Sequence, residues 1–310
     1  MCQLIDLSII IVNYNKQDLL EKCIDSIYKE TKISFEIIII DNGGNHKKLD
    51  LLSSLYANVV IKKNKINRGF SSGCNQGALI AKGKHFLFLN PDTIILDGAI
   101  DKTYSFITSS SKHAVVGCKL LNFDGTYQPS CRSFPSMFNH LIESLILYKI
   151  FPKNKIIGKY YMTHMNIDDI NEVDVVMGAF MMMKKDIFVT LNGFDEQFFM
   201  YSEETDFCFR AKKAKYKIFY FPKAYVMHEW GGMLEDLSDD LFIEMHRSLM
   251  KFCRKHHQKF YFILEKNVVF TGVLLRALYY NIVLLLNRSD SIKKKQWKYI
   301  LLLKAYIQGI

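Results

Sequence analysis

The sequence predicts an α/β fold, a mostly parallel central sheet flanked by helices, followed by a basic helical tail. Three observations predict it. Short continuous apolar runs rich in Ile and Val recur through the first hundred residues, each closed by polar or turn residues. Stretches with helical spacing alternate with them, the signature of strands buried on both faces and joined by crossover helices. Charge is unevenly spread. The 41 Lys and Arg and 31 Asp and Glu leave a net +10, yet from Arg247 onward thirteen basic residues face only Glu265 and Asp290.

Taken in order, the first strand is Leu7–Val12, ended by Asn13-Tyr14-Asn15, and a helix follows through Leu19, Leu20, Cys23, Ile24 and Ile27. The second strand, Phe35–Ile40, ends at Asp41-Asn42-Gly43-Gly44. A helix around Leu49–Leu55 leads to a third strand, Val59–Ile61. A further helix over Ser72–Ala81 precedes Phe86–Leu89, which Asn90-Pro91-Asp92 terminates. Pro135–Asn166 mixes apolar residues with Lys and Tyr and reads as a helical insertion. A second β/α block covers Val173–Met183, a helix Lys184–Leu191, a helix Ser202–Lys215, and strands Tyr216–Tyr220 and Ala224–Met227. The expected division is an α/β domain over residues 1–236, carrying the insertion 135–166, and a basic amphipathic helical region over 237–310, dispensable for the fold of the rest.

Composition narrows the function. With 310 residues, 49% hydrophobic and 23% charged, the chain can bury a large core and is neither disordered nor a disulfide scaffold. Its seven cysteines contain no C-x-x-C pair, and no signal peptide is legible, so reduced thiols in a cytosolic protein are expected and a structural zinc site is not. Neither G-x-G-x-x-G after the first strand nor G-x-x-x-x-G-K-[ST] occurs, which argues against dinucleotide and P-loop folds. In the tail, Asn267–Leu286 approaches bilayer-spanning length, but Arg276 near its middle would be costly in hydrocarbon. Lys293-Lys294-Lys295 beside Trp297 suits a helix lying on an anionic membrane surface rather than nucleic acid. The alternative is a tail packed on the body or on a second subunit, as in a homodimer.

Ligands bind beyond the carboxyl ends of strands in open parallel sheets, which brings Asn13, Asp41 and Asp92 to one edge. Pro91 ends the ladder and aims Asp92 outward, where a hard carboxylate oxygen suits Mg²⁺ or Mn²⁺ on a diphosphate. His228, past a strand and before Glu229-Trp230-Gly231-Gly232, could complete that metal site. The glycine-punctuated loop from Asn67 through Gly69 to Asn75 and Gly77 could offer backbone N–H groups to phosphate or nucleoside. Glu203 and Glu204 begin a helix that Ser202 could cap. Either they only complement the helix dipole, or one is a general base. Asp206 and Arg210, four apart, could pair.

The ordered set Ile11-Val-Asn-Tyr-Asn15, Ile40-Asp-Asn-Gly43, Asn67-Arg-Gly-Phe70, Leu89-Asn-Pro-Asp92, Met177-Gly-Ala179, Gly193-Phe-Asp-Glu196, Glu203-Glu-Thr-Asp206 and His228 resembles glycosyltransferase family 2 over about residues 5–235, and its bacterial rhamnosyltransferase-like members in particular. The resemblance implies a GT-A fold and inverting transfer of a sugar, rhamnose foremost, from a nucleoside-diphosphate donor to a saccharide or lipid-linked acceptor in surface polysaccharide assembly. It puts Asp41 at the nucleoside, Asp92 at the last position of the D-x-D element, and His228 at the metal or diphosphate. Glu204 takes the position of the catalytic Asp, with Gly178, Glu203 and Trp230 toward the acceptor. Asn90 stands where the first Asp of D-x-D would be and Glu204 where an Asp is usual, which leaves Glu203, Glu204 and Asp206 as rivals for the base. With Glu204 inward, Glu203 is expected on a more exposed face. The implied location is cytoplasmic, peripheral on the inner face of the cell membrane. A non-catalytic nucleotide-binding or scaffold protein with a decayed site is the rival reading.

Overall fold

The computed structural model describes residues 5–43, 46–151, 153–229, 237–286 and 288–310, with the backbone alone at 46–48. In chain order the elements are β1 (Leu7–Asn13), α1 (Gln17–Glu30), β2 (Phe35–Asp41), α2 (His46–Leu55), β3 (Val59–Lys63), α3 (Phe70–Ile80), β4 (His85–Leu89), β5 (Thr93–Ile95), α4 (Ala99–Thr108) and β6 (His113–Leu121). There follow β7 (Tyr127–Gln128), β8 (Cys131–Arg132), α5 (Met137–Ser144), α6 (Leu147–Ile150), β9 (Asn171–Glu172), β10 (Val175–Val176), β11 (Phe180–Lys184), α7 (Lys185–Thr190), α8 (Glu203–Lys213) and β12 (Lys217–His228). The chain closes with α9 (Asp239–His256), α10 (Lys259–Leu286) and α11 (Asp290–Ile307). It divides into two compact units: residues 1–132, 166–199 and 203–229, and residues 133–165, 200–202 and 230–310.

The first unit holds the sheet, ordered β3-β2-β1-β4-β11-β6-β12-β5. Its first half is parallel, as the unbroken apolar runs require: β1 lies between β2 and β4, and every residue of β1 is buried. The second half is mixed. β11 runs antiparallel to both β4 and β6, and β5 antiparallel to β12. Val173–Met183, expected as one strand, is broken into β10 and β11, while the two expected strands from Tyr216 are one, β12, with a register break between Phe221 and Tyr225. That break has a structural consequence. Three strands separate β4 from β5 in the sheet order, about 19 Å across a flat sheet, whereas the four residue steps from Leu89 to Thr93 reach about 14 Å at most. The sheet therefore curls at this corner, and Pro222 within the bulge has no N–H to lose from the ladder there.

Glycine lets α3 press on β1: a Cβ at Gly77 would stand 2.5 Å from Ile10 Cγ2, and one at Gly73 2.8 Å from the Val12 methyls. Ser8 and Glu36, polar residues inside the sheet, satisfy each other and the neighbouring backbone. The Ser8 hydroxyl donates to Glu36 Oε1 at 2.6 Å and accepts from the Gly83 N–H at 2.8 Å, while the Lys82 N–H also donates to Glu36.

The second unit is helical and includes the insertion as well as the tail, so 133–165 clusters with α9, α10 and α11. α5 packs on α10 at very close range: a Cβ on Gly272 would lie 2.3 Å from Ser144 Oγ, and Ser144 Oγ donates to the Val268 carbonyl at 3.2 Å. Arg276, the charge expected to be costly, turns its guanidinium onto the Glu143 carbonyl of α5. Ser238 and Ser289 cap α9 and α11, accepting from the Leu241 and Ile292 N–H groups. α10 is long and apolar enough to cross a bilayer by length and composition.

Candidate active site

Asp92 is built by the end of β4. Asn90 N–H donates to the Ala179 carbonyl at 3.0 Å, after which Pro91 releases the chain from the ladder and Asp92 leaves the sheet. His228 arrives because it is the last residue of β12 and pairs with Thr93 of β5; the Glu229 N–H then donates to the Asp92 carbonyl at 3.0 Å. The two side chains, both almost fully buried, face each other with His228 Nε2 3.5 Å from Asp92 Oδ1. The ring's other nitrogen, Nδ1, donates to Gln128 Oε1 at 2.8 Å, and Asn90 Nδ2 donates to Nε2 at 3.2 Å. His228 Nε2 thus stands between Asn90 Nδ2 and Asp92 Oδ1.

Asp92 Oδ2 accepts from Lys16 Nζ at 2.6 Å, while Oδ1 is buried with no hydrogen-bond partner among the described residues. Burial pushes the carboxyl up, but His228 and Lys16 more than offset it and hold it below the ordinary value. An orphaned carboxylate oxygen beside an imidazole nitrogen that only the Asn90 amide contacts is a donor set that fits a divalent cation. Lys16 and Gln128 were not singled out from the sequence. Lys16 carried a signal, since it follows the turn at the carboxyl end of β1; Gln128, in the two-residue β7, carried none.

The nucleoside-side residues are also assembled. Asn13 Nδ2 donates to Asp41 Oδ1 at 2.9 Å across the register pair of β1 and β2. Asn42 Nδ2 donates to the Gly69 carbonyl at 2.9 Å, and Asn64 Nδ2 to Asn42 Oδ1 at 2.8 Å. Asn67 Oδ1 accepts from the Gly69 N–H at 2.9 Å, so both fix the loop. Gly69 has φ +84, and a Cβ there would stand 2.4 Å from the Phe199 carbonyl oxygen; no other residue fits. Asn75 braces a neighbouring turn. Its amide donates to the Phe194 carbonyl (2.8 Å) and Glu196 Oε1 (3.0 Å) and accepts from the Phe194 N–H (3.0 Å), so it holds the Gly193–Glu196 turn, with one lone pair of Oδ1 left over.

The acidic helix start is α8. Tyr201 and Ser202 both have positive φ, +68 and +65, so Ser202 lacks the extended backbone usual for a capping residue. Glu203 is buried, 5% exposed, and the exposed face expected for it is corrected: it is the more enclosed of the pair. Glu203 Oε2 and Glu204 Oε2 are both buried without a hydrogen-bond partner among the described residues, the condition of a site awaiting a polar ligand. Burial pushes both carboxyls up. For Glu203 the charge of Glu204 adds to that; for Glu204 its own N–H and that of Thr205, together with Arg132, pull back. Asp206 is fully buried and tied to Arg210 Nε at 2.7 Å, as the spacing of four predicted, and that guanidinium also holds the Leu191 and Gly193 carbonyls.

Short contacts join the parts. Phe70 N–H donates to the Phe199 carbonyl at 2.7 Å, Gly178 lies against the Phe70 ring, and Ala179 holds Asn90. Trp230 lies outside the described residues. A separate open cleft of 850 Å³, lined by Lys84, His85, Lys184 and Lys185, sits where β4 starts and β11 ends, the opposite edge of the sheet from Asp92. The six described cysteines are unpaired by disulfides and buried; burial raises Cys23 and Cys131 to about 12, too high for nucleophiles at neutral pH.

Comparison with known proteins follows this geometry. The family model "Glycosyl transferase family 2" matches residues 8–191, more than half of the chain, and a second, "N-terminal domain of galactosyltransferase", matches residues 158–230. The chain is 31% identical over 159 residues to a poly(ribitol-phosphate) beta-glucosyltransferase of Bacillus spizizenii, covering 47% of this chain but only 24% of that protein. It is 24% identical over 233 residues to an N-acetylglucosaminyl-diphospho-decaprenol L-rhamnosyltransferase of Mycobacterium tuberculosis, covering 72% of this chain and 75% of that one. The fold is also that of a mannosyltransferase from Pyrobaculum calidifontis solved in complex with GDP-Man and Mn²⁺, with a TM-score of 0.59 at 11% identity, covering 99% of this chain and 88% of that one.

Proposed function

The chain belongs to glycosyl transferase family 2, and on that premise we propose that it is an inverting transferase moving a hexosyl group, rhamnose foremost, from a nucleoside diphosphate to a hydroxyl of a saccharide or lipid-linked acceptor. The observation that carries this reading is the buried pair of Asp92 Oδ1 and His228 Nε2, 3.5 Å apart at the carboxyl end of β4. Asp92 and His228 would hold Mg²⁺ or Mn²⁺, which when bound neutralises the diphosphate leaving group. Lys16, already on Asp92 Oδ2, adds a fixed positive charge at the same place. Asp41 and Asn13 stand ready to orient the nucleoside, and the Asn67–Gly69 loop to carry it.

Glu204 is the base. It holds the position of the family's catalytic carboxylate, its Oε2 has no hydrogen-bond partner among the described residues, and burial raises its affinity for the proton it must accept. Glu203, its carboxyl pushed up by burial and by the charge of Glu204, lines the acceptor side. Attack by the acceptor oxygen on the face opposite the leaving diphosphate inverts the anomeric carbon, and the acceptor's proton passes to Glu204. Gly178, against Phe70, leaves room for the acceptor. A tail whose exposed apolar residues Leu275, Leu278, Tyr279, Ile282, Leu285 and Leu286 recur at helical spacing suits a lipid-linked acceptor presented at the inner membrane face.

The test is nucleotide release from a panel of nucleoside-diphosphate sugars, with and without divalent metal. Asp92→Asn should lower turnover on the order of 10²-fold or more. Full activity in excess EDTA removes the metal role, and release from no donor in the panel favours the decayed-site reading.

A further inference from the structure

The helical unit contains a second constellation that the transfer reaction does not use. His140 on α5, Cys253 on α9 and Glu265 on α10 are each at most 2% exposed, and one ligand-capable atom from each lies within 4.8 Å of the other two. We propose that these three side chains form a tetrahedral transition-metal site, with zinc the metal its donors select and the fourth position left for water or a small ligand.

The distances fit a metal. His140 Nε2 and Cys253 Sγ are 3.6 Å apart. Zinc bonds of about 2.05 Å to nitrogen and about 2.3 Å to sulfur, at the tetrahedral angle, place those two atoms about 3.6 Å apart. The carboxylate needs only a small inward movement to join them. It is already oriented from behind: His257 Nδ1 lies 2.6 Å from Glu265 Oε2, the outer hydrogen bond that ligating carboxylates typically receive. Charge also closes. A thiolate and a carboxylate neutralise a dication, so the filled site would carry no net charge into a buried place. Burial keeps His140 neutral and its nitrogen available, and burial with Glu265 beside it keeps the Cys253 thiol protonated until a cation arrives. Binding then releases that one proton to solvent.

Access exists. A cleft of 480 Å³ lined by Ser136, Phe138, His257, Gln258, Tyr261 and Glu265 opens beside the carboxylate, which gives the ion an entry path. Sulfur, nitrogen and oxygen donors together favour zinc over the oxygen-loving Mg²⁺ and Mn²⁺ expected at Asp92. The absence of C-x-x-C pairs argued against a zinc site, but that pattern finds only ligands adjacent in sequence. Here each comes from a different helix, and the ion would pin α5, α9 and α10 together.

Full-length protein purified without chelator, analysed by elemental mass spectrometry and then by titration of the metal-free form with Co²⁺, decides the matter. The expected result is about one zinc per chain and, with Co²⁺, a thiolate-to-metal charge-transfer band in the near ultraviolet. Cys253→Ser should remove the band and weaken metal affinity at least tenfold, and Glu265→Gln should weaken it while the band persists. Asp92→Asn should leave the band unchanged, because the nucleotide site offers no sulfur. Wild-type protein that binds Co²⁺ with no such band, or not at all, overturns the proposal without any variant having to fold.

Discussion

At the scale of single residues, three neighbouring carboxylates on α8 are given different tasks by their surroundings. Glu204→Gln keeps volume and polarity but cannot take a proton, so turnover should fall roughly 10²–10⁴-fold with donor affinity nearly unchanged. Glu203→Gln keeps the side chain's size and should change turnover only a few-fold. Because burial raises Glu204 above the ordinary carboxylate value, the wild-type rate should climb with pH through a range above that value. The same shift has a stability sign: the folded form holds more protons than the unfolded one between the two pKa values, so stability falls as pH rises through that window. Glu203→Gln should therefore flatten the pH dependence of urea unfolding. Asp206→Asn tests a different role. It strands Arg210 beside the Leu191 and Gly193 carbonyls, and should cost about 3 kcal/mol in urea unfolding. A stable Asp206→Asn protein without turnover would instead make Asp206 the base.

At the scale of elements, α10 does two jobs on two faces. Gly272 and Arg276 face α5, where the missing Cβ allows contact with Ser144 and the guanidinium meets the Glu143 carbonyl. Leu275, Leu278, Ile282 and Leu286 remain exposed. An isolated apolar stripe of this kind, next to the lysines of α11, is suited to the headgroup layer. Leu278→Asp with Ile282→Asp should lower partitioning onto anionic vesicles by about tenfold or more, without altering circular dichroism, because neither side chain is in the packed face. Unchanged partitioning of that variant in a flotation assay removes α10 from the membrane contact.

At the scale of the whole molecule, the insertion and the tail are not separate pieces. The sequence suggests that a chain ending near Leu237 keeps its fold. The structure makes α5 part of the same compact unit as α9, α10 and α11, so such a truncation removes the surface on which Ile142 and His140 are buried. The truncated protein should bind a hydrophobic dye and aggregate, whereas removal of residues 133–165 together with 237–310 should relieve this. A monodisperse, dye-silent truncation ending near Leu237 would show that the insertion does not depend on the tail.

The sequence by itself determined the parallel half of the sheet, the carboxyl edge that carries Asn13, Asp41 and Asp92, and the pairing of Asp206 with Arg210. These depend on local period and fixed spacing, which a linear reading contains: strands buried on both faces need unbroken apolar runs, and residues four apart on a helix share a face. Only the tertiary structure decided which strands of the second half run antiparallel, that Asn75 braces a turn, that Lys16 and Gln128 attend Asp92 and His228, and that Glu203 is enclosed. Each of these depends on residues distant in sequence being brought together, Gln128 to His228 across 100 positions and His140 to Cys253 across 113. No periodicity encodes such contacts. They exist because the curl of the sheet and the packing of α5 on α10 bring the chain back on itself.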